Sequence, residues 1–399
     1  MAVVEALTHH AMGRLDDGTL VPRVLPGEEV EVTADGSARI ITPSPRRVAP
    51  VCRHFKTCGG CAMQHADDNF VAAWKMDIVA RALSGQGLTG EIAGILTSPA
   101  RSRRRAKFTG RRGKSGGQVG FKARGSDILV EVPDCQLIAP ELAALIPALA
   151  DVANLAASRK AEAGLLVTTS QAGADLQVES ERDLTPQLVG ELAQIAERAG
   201  FARITWGDET AVLRAPPIQM MGPAPVVPPP GAFLQATPQG EADLLAQVRA
   251  AVGDARRVVD LFAGSGTFTL PLSATTEVHA VEGVAPMIEA LMRGWRAAGG
   301  LRKVTGEVRD LFRNPLLPID LKGFDAAIID PPRAGAEAQI RQLAQSDIPV
   351  IAMVSCNPVT FARDARILLD AGYVMAPIWV VDQFRWSAHV ELVTRFTRA

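Results

Sequence analysis

Five cysteines and a set of strand-end acids are the residues of this 399-residue chain whose types and spacing suit chemistry. Cys52, Cys58 and Cys61 stand together in CRHFKTCGGC, Cys135 follows in VPDCQLI, and Cys356 stands apart in VSCNPVT. The partition is four plus one. Four thiolates suffice for an iron–sulfur cluster or a tetrahedral zinc ion, and His54 and His65 keep a mixed Cys–His zinc site open. The N-terminal MAVVEALTHHAMGR lacks the basic start and apolar core of a signal peptide, so a cytoplasmic protein with reduced thiols is expected. Taken alone, Cys356 reads as a small buried hydrophobe. Its place at the carboxyl end of the apolar strand VIAMVS, ahead of a proline, makes it a candidate nucleophile.

Three acids occupy comparable places. Glu282 ends VHAVE, and Asp330 ends FDAAIID before a Pro-Pro pair that stiffens the turn. Glu391 lies in the terminal run HVELV, where a carboxylate is costly to bury unless paired or functional. The turn DLFAGSGT opens on Asp260, and Gly264 and Gly266 let backbone approach a ligand closely. A dinucleotide fold wants a third glycine where this chain has Thr269. With Glu282 at the next strand end, the turn favours S-adenosylmethionine, which has no pyrophosphate to seat, over NAD.

The elements that must position these residues follow from periodicity. From about Glu241 onward, helices alternate with the strands RVVDLF, VHAVEG, FDAAIID and VIAMVS, the signature of a doubly wound parallel sheet. Ligands of such a sheet sit beyond the carboxyl ends of its strands, where every candidate above falls. Residues 1–45 alternate apolar and polar between the turns LDDGT, LPGEE and ADGS, which predicts a small antiparallel β module. Helical segments over Asp68 to Leu83, Pro140 to about Lys160 and Thr185 to Ala199, with the strand GLLVTT, predict a central α+β domain over 46–235. Seven prolines between Pro216 and Pro230 predict an irregular connector to a domain over 236–399.

A formal net charge of −1 and 47% hydrophobic content exclude a disordered or collagen-like chain, and no run of about 18 apolar residues could span a membrane. The near-neutral total conceals a basic band. Ten of the 24 residues from Arg101 to Arg124 are Lys or Arg, and no acid occurs between Glu91 and Asp127. Phosphate contacts are expected there, with Arg104 and Arg105 as candidates.

FLQAT, LFAGSGTF, DPPRAG, SCNPVTFARD and HVE together resemble the RNA uracil-5-methyltransferase family, and CRHFKTCGGC resembles its iron–sulfur branch that acts on 23S ribosomal RNA. The resemblance runs from the N-terminal module to the last strand. It implies a Rossmann-like, class I methyltransferase domain using S-adenosylmethionine, a central RNA-binding domain, and an N-terminal module similar to the OB-like TRAM barrel. Cys356 is thereby implied as nucleophile and Glu391 as base. Gln235, Phe262, Gly264, Gly266, Thr267, Glu282 and Asp330 fall in the donor and target pocket, and Phe233 as a stacking surface for a flipped base. Cys52, Cys58, Cys61 and Cys135 are implied as ligands of a 4Fe-4S cluster. FLQAT stands where an FFQVN-like string is common, and Thr267 where Asn is common.

The chemistry explains these residue types. Carbon 5 of uracil is too weak a nucleophile unaided; a thiolate adding to carbon 6 makes it carbanion-like, and a base must later remove the carbon 5 proton. DPPRAG lacks the second cysteine of RNA cytosine enzymes and the aromatic residue of amino-directed DNA methyltransferases. The expected substrate is ribosomal RNA, with the transfer RNA T-loop as the alternative and a non-catalytic iron–sulfur RNA-binding protein as the alternative of another class. A monomer is expected.

Overall fold

In the computed structural model, which describes residues 1–398, the apolar strands of the C-terminal half assemble into one large sheet. Its order is Val304–Val308, Glu277–Glu282, Arg257–Leu261, Ala326–Ile329, Val350–Ser355, Glu391–Arg398, Ile378–Asp382 and Ile92–Thr97. The first five are parallel; the inner three, Arg257–Leu261, Ala326–Ile329 and Val350–Ser355, are apolar runs buried on both faces, while the edge strand Val304–Val308 is largely exposed. Chain order reverses at Arg257–Leu261, so a crevice opens beyond its carboxyl end.

Glu391–Arg398 inserts antiparallel between Val350–Ser355 and Ile378–Asp382. An antiparallel strand begins where its parallel neighbour ends. Ser355 therefore pairs with Leu392, and Glu391 arrives level with Cys356 at the sheet's carboxyl edge.

Two upstream segments belong to this layer. Ile92–Thr97 adds to the sheet parallel to Ile378–Asp382. The helix Asp68–Gly85, capped by the Asp67 side chain accepting the Phe70 N–H, places Val71, Trp74, Ile78 and Leu83 in one core with Ile351, Phe361 and Leu368. The expected boundary at 235/236 thus divides a layer that is continuous in space. Local periodicity reports that a strand or an apolar helix face exists, and is silent on which sheet receives it.

The central sheet has the order Glu209–Leu213, Phe201–Trp206, Gly173–Glu179, Ala163–Ser170, Arg105–Arg112, Gly117–Lys122, Leu129–Glu131. Its apolar face shares a core with the helices Ile146–Ala156 and Pro186–Ala199. The single helix expected from Pro140 is two pieces, Pro140–Ala143 and Ile146–Ala156, the second with Pro147 in its first turn. The expected irregular connector contains a short hairpin, Gln219–Met221 with Ala224–Val226, turning at Gly222 with φ +59°. Among the described residues these two strands pair only with each other, so Pro225 forfeits no ladder bond to a larger sheet.

The first 42 residues form a five-stranded antiparallel sheet in the order Leu20–Pro22, Met12–Leu15, Ala2–Leu7, Glu29–Val32, Ala38–Thr42, around Val4, Leu15, Val21, Val24 and Val30. Glu28, fully buried, accepts from Arg47 Nη2 at 2.7 Å and from the Leu25 N–H at 2.8 Å. This clamp joins the module to the chain that follows. No helix among the described residues is long and apolar enough to cross a membrane.

One buried ion pair bolts the upstream helix to the turn before Glu391. Lys75, with no exposed surface, donates to Asp382 Oδ1 at 2.5 Å and to the Phe384 carbonyl at 3.1 Å. Asp382 also accepts the Phe384 N–H. Lys75→Met leaves Asp382 buried without its counter-charge and is expected to cost about 3–5 kcal/mol in urea denaturation. A loss below about 1 kcal/mol would show that the pair does not hold the turn.

Candidate active site

Cys356 is the residue after Val350–Ser355, a half-buried free thiol. Asn357 caps the next helix by accepting the Val359 N–H at 3.1 Å, while its Nδ2 donates to the Arg333 carbonyl at 2.9 Å. The SCNP and DPPR turns are thereby tied together. Burial, then the acids Glu391 and Asp330, push the Cys356 thiol up to about 11, and Arg333 opposes them. Glu391 is buried, and burial followed by Asp330 pushes its carboxyl up to about 8. Such a carboxyl can take or release a proton near neutral pH. His389 is exposed, with Nδ1 2.7 Å from Arg333 Nη2.

The glycine turn has the geometry its sequence calls for. Gly264 and Gly266 have φ of +56° and +103°, and a Cβ on Gly266 would lie 2.8 Å from Leu270 Cδ1. The Gly264 N–H donates to Glu282 Oε2 at 3.1 Å and the Val284 N–H to Oε1 at 3.0 Å. Glu282 therefore buttresses two loops at once. Phe262 is itself left-handed, φ +64°, with its ring 5.3 Å from that of Phe312, and Thr267 lies half-buried in the turn.

Asp260 is fully buried, and its Oδ2 accepts from Thr269 Oγ1 at 2.6 Å. Asp260 Oδ1 and Ser265 Oγ are buried without a partner among the described residues. Burial pushes Asp260 and Asp330 each up to about 7, with Glu282 adding to the first and Asp260 to the second. Crowded acids with an unpartnered carboxylate oxygen suit a cationic ligand and would repel a pyrophosphate. S-adenosylmethionine carries an ammonium and a sulfonium, so this donor set fits it.

The segment before the helix Pro238–Val252 borders the same acids. Gln235 Nε2 lies 3.4 Å from Asp330 Oδ2. Phe233 is 58% exposed, with the Arg105 guanidinium 5.9 Å from its ring centroid. Arg105 Nη2 also donates to the Gly231 carbonyl at 2.8 Å. Arg104 departs from its expected role as a phosphate contact: it pairs with Glu241 and donates through Nε to the Gln235 carbonyl at 3.0 Å. Its charge is spent on holding the pocket wall.

The basic band is likewise not free of acids in space. Lys107 meets Glu179 at 2.7 Å, Lys122 meets Asp127 at 2.9 Å, and Arg111 pairs with Glu162. Arg101, Arg112 and Lys114 have no acidic partner among the described residues. Gln383 escaped the sequence reading. It is buried and hydrogen-bonded to both Gln235 and Glu391.

Cys52, Cys58, Cys61 and Cys135 line one pocket with Phe55, Gln64, Phe121, Val132 and Leu137. Among the described residues no histidine lines it: His54 is held by Asp134 at 2.8 Å, and buried His65 stacks on Phe55. Among the described residues the thiols do not form a ready three-ligand site for a single ion. Burial raises Cys52, Cys58 and Cys61, the last to about 12, so binding a metal there would displace protons. Gly59 donates to the Lys122 carbonyl at 3.0 Å, where a Cβ would lie 2.7 Å from that oxygen. The Ala62 and Met63 N–H groups donate to the Trp386 carbonyl at 2.7 and 3.0 Å. The cysteine loop thus touches both the central sheet and the turn leading to Glu391.

These raised carboxyl pKa values have a thermodynamic sign. Asp260, Asp330 and Glu391 stay protonated in the folded protein where the unfolded chain has released those protons, so stability falls as pH rises through about 7 to 8. Buried His65, lowered to about 4, acts oppositely and only below its unfolded value. Between pH 6.5 and 8.5 the free protein should lose on the order of 2–4 kcal/mol, less when S-adenosylhomocysteine is present. A stability that rises over that interval, measured by urea denaturation, would contradict the acid crowding.

The family model described as tRNA (Uracil-5-)-methyltransferase matches residues 230–398. An uncharacterized RNA methyltransferase of Brucella suis is 40% identical, covering 97% of this chain and 94% of its own. The 23S rRNA (uracil(1939)-C(5))-methyltransferase of Halomonas elongata is 33% identical over 98% of this chain and 87% of its own. Among solved structures, the Pyrococcus abyssi tRNA (uracil-54, C5)-methyltransferase in complex with S-adenosyl-L-homocysteine aligns with TM-score 0.76 and 22% identity, covering 100% of this chain and 99% of that one, a likeness of fold. With a 33% identical relative spanning nearly the whole chain, and strand ends that present a thiol, a buried carboxyl and an acid-lined crevice, this chain belongs to the RNA uracil-5-methyltransferase family.

Proposed function

We propose that the chain methylates carbon 5 of a uridine in 23S ribosomal RNA, with Cys356 as nucleophile and Glu391 as base. The observation that carries this reading is the register of Glu391–Arg398 against Val350–Ser355, which sets Glu391 level with Cys356 beside Asp330. S-adenosylmethionine, when bound, supplies the methyl group as a sulfonium. Asp260, Glu282 and the Gly264–Gly266 turn would hold it, and Asp330 with Gln235 would border donor and target.

Cys356 gives its proton to solvent water and its Sγ bonds to carbon 6 of the uracil, and the π pair of the carbon 5–carbon 6 double bond, broken by this addition, makes carbon 5 nucleophilic. After carbon 5 has taken the methyl group, Glu391 removes the remaining proton there and the bond from Cys356 to carbon 6 breaks. Glu391 is buried, which keeps competing water from it. Phe233 offers an exposed ring on which the flipped base stacks, with Arg105 behind it.

Two features support ribosomal RNA. The relative named for that substrate is similar over almost the full chain, whereas the solved enzyme named for transfer RNA shares the fold at lower identity. The chain also carries the cysteine quartet, whose all-sulfur donors and partly aromatic lining suit a 4Fe-4S cluster. Such a cluster would order the loop between the central sheet and the turn before Glu391, and we assign it no redox step. The N-terminal sheet is read as a TRAM-like RNA-binding module.

Cys356→Ala is expected to abolish methylation and to prevent the denaturation-resistant adduct with 5-fluorouracil RNA; retained turnover would remove Cys356 as nucleophile. Glu391→Gln should let the adduct form and slow its release by about 100-fold or more, within the range for loss of a general base. Anaerobically purified protein should contain about four irons per chain, and one zinc without iron would reverse the cluster assignment. Mapping 5-methyluridine in RNA from a deletion strain should show its loss from 23S ribosomal RNA, and loss from the transfer RNA T-loop instead would move the substrate.

A further inference from the structure

We propose that Gln383 is the positioning residue of this site, fixing which oxygen of Glu391 is engaged and which end of the Gln235 carboxamide faces Asp330. Its own orientation is set by backbone. Gln383 Oε1 accepts the Ala236 N–H at 2.6 Å and the Thr237 N–H at 3.4 Å. Backbone N–H groups only donate, so the atom facing them is the carbonyl oxygen and the amide cannot be reversed. Nε2 is therefore directed to the other side, where it donates to Gln235 Oε1 and to Glu391 Oε2.

Two consequences follow from that direction. Gln235, having its oxygen engaged, presents its Nε2 to Asp330 Oδ2. Glu391 has Oε2 held, which leaves Oε1 as the oxygen that takes the proton. One buried amide thus converts the fixed polarity of the Ala236 peptide into the polarity of the whole pocket wall.

The residue type is demanding. A glutamate here would itself need a proton to donate, a lysine could not accept the Ala236 N–H, and an apolar chain could do neither. Space is made for it: a Cβ on Gly240 would lie 2.6 Å from Gln383 Cβ, and the Lys75–Asp382 pair fixes the residue before it.

The donated hydrogen bond also favours the ionised form of Glu391, against burial and against Asp330. The titratable and charged groups around Glu391 are Asp330 after the strand Ala326–Ile329 and Cys356 after Val350–Ser355, with Arg333 acting on Cys356 and His389 beside it in sequence. Gln383 is the neutral donor among them. This inference rests on Glu391 being the base.

The test follows tritium release from carbon 5 of uridine-labelled total RNA taken from a deletion strain, in single turnovers between pH 6 and 9.5. Gln383→Met should shift the rising limb upward by about one unit and slow release about tenfold at pH 7, the size of one lost hydrogen bond to a charged group. Gln383→Asn, which keeps the amide but withdraws it from Glu391, should shift the limb in the same direction. In a Glu391→Gln background neither change should slow release further. An unshifted limb in variants that lower only the melting temperature would overturn the positioning role, as would an equal slowing with and without Glu391. Release at the wild-type rate by Glu391→Gln alone would overturn the base assignment and this inference with it.

Discussion

The site depends on one antiparallel strand inserted among parallel ones. Had Glu391–Arg398 run parallel to Val350–Ser355, its first residue would lie at the far edge of the sheet from Cys356. The reversal instead brings a strand start to the edge where the five parallel strands end. A thiol from one strand end, a carboxyl from another and a second carboxyl from a strand start then meet without any long loop. The supports are correspondingly rigid: the helix Asp68–Gly85 grips the preceding turn through Lys75, and the cysteine loop hydrogen-bonds to Trp386 within it.

Crowding of acids is the second constraint, and the reversed strand adds Glu391 to it. Burial first, and then neighbouring acids, raise the carboxyls of Asp260, Asp330 and Glu391, at a cost in stability to the free protein. The same arrangement prepares a place for a cationic methyl donor and leaves a carboxyl that titrates near neutrality beside the thiol. Stability given up at the site is thus linked to the reaction that the fold serves.

Much of this was legible in the residues. The parallel strands announced themselves as apolar runs, and their last residues, Glu282, Asp330 and Cys356, sit where the doubly wound rule puts ligands. The glycine turn reads correctly because φ above zero at Gly264 and Gly266 is a local backbone requirement. Long-range pairing was not legible. Ile92–Thr97 joins a sheet whose other strands begin 160 residues later, and Arg104 looked available until Glu241 came to meet it. Gln383 had no periodic or motif signal; the clue lay in a polar residue set between buried Asp382 and the ring of Phe384, eight positions before Glu391.

The most direct test of the account is to locate the covalent bond. The adduct formed with 5-fluorouridine RNA and S-adenosylmethionine can be digested with protease and nuclease and sequenced by tandem mass spectrometry. Methylated fluorouridine is predicted on the peptide that carries Cys356. Attachment to any of Cys52, Cys58, Cys61 or Cys135, or a methylated product with no attached peptide, would contradict it.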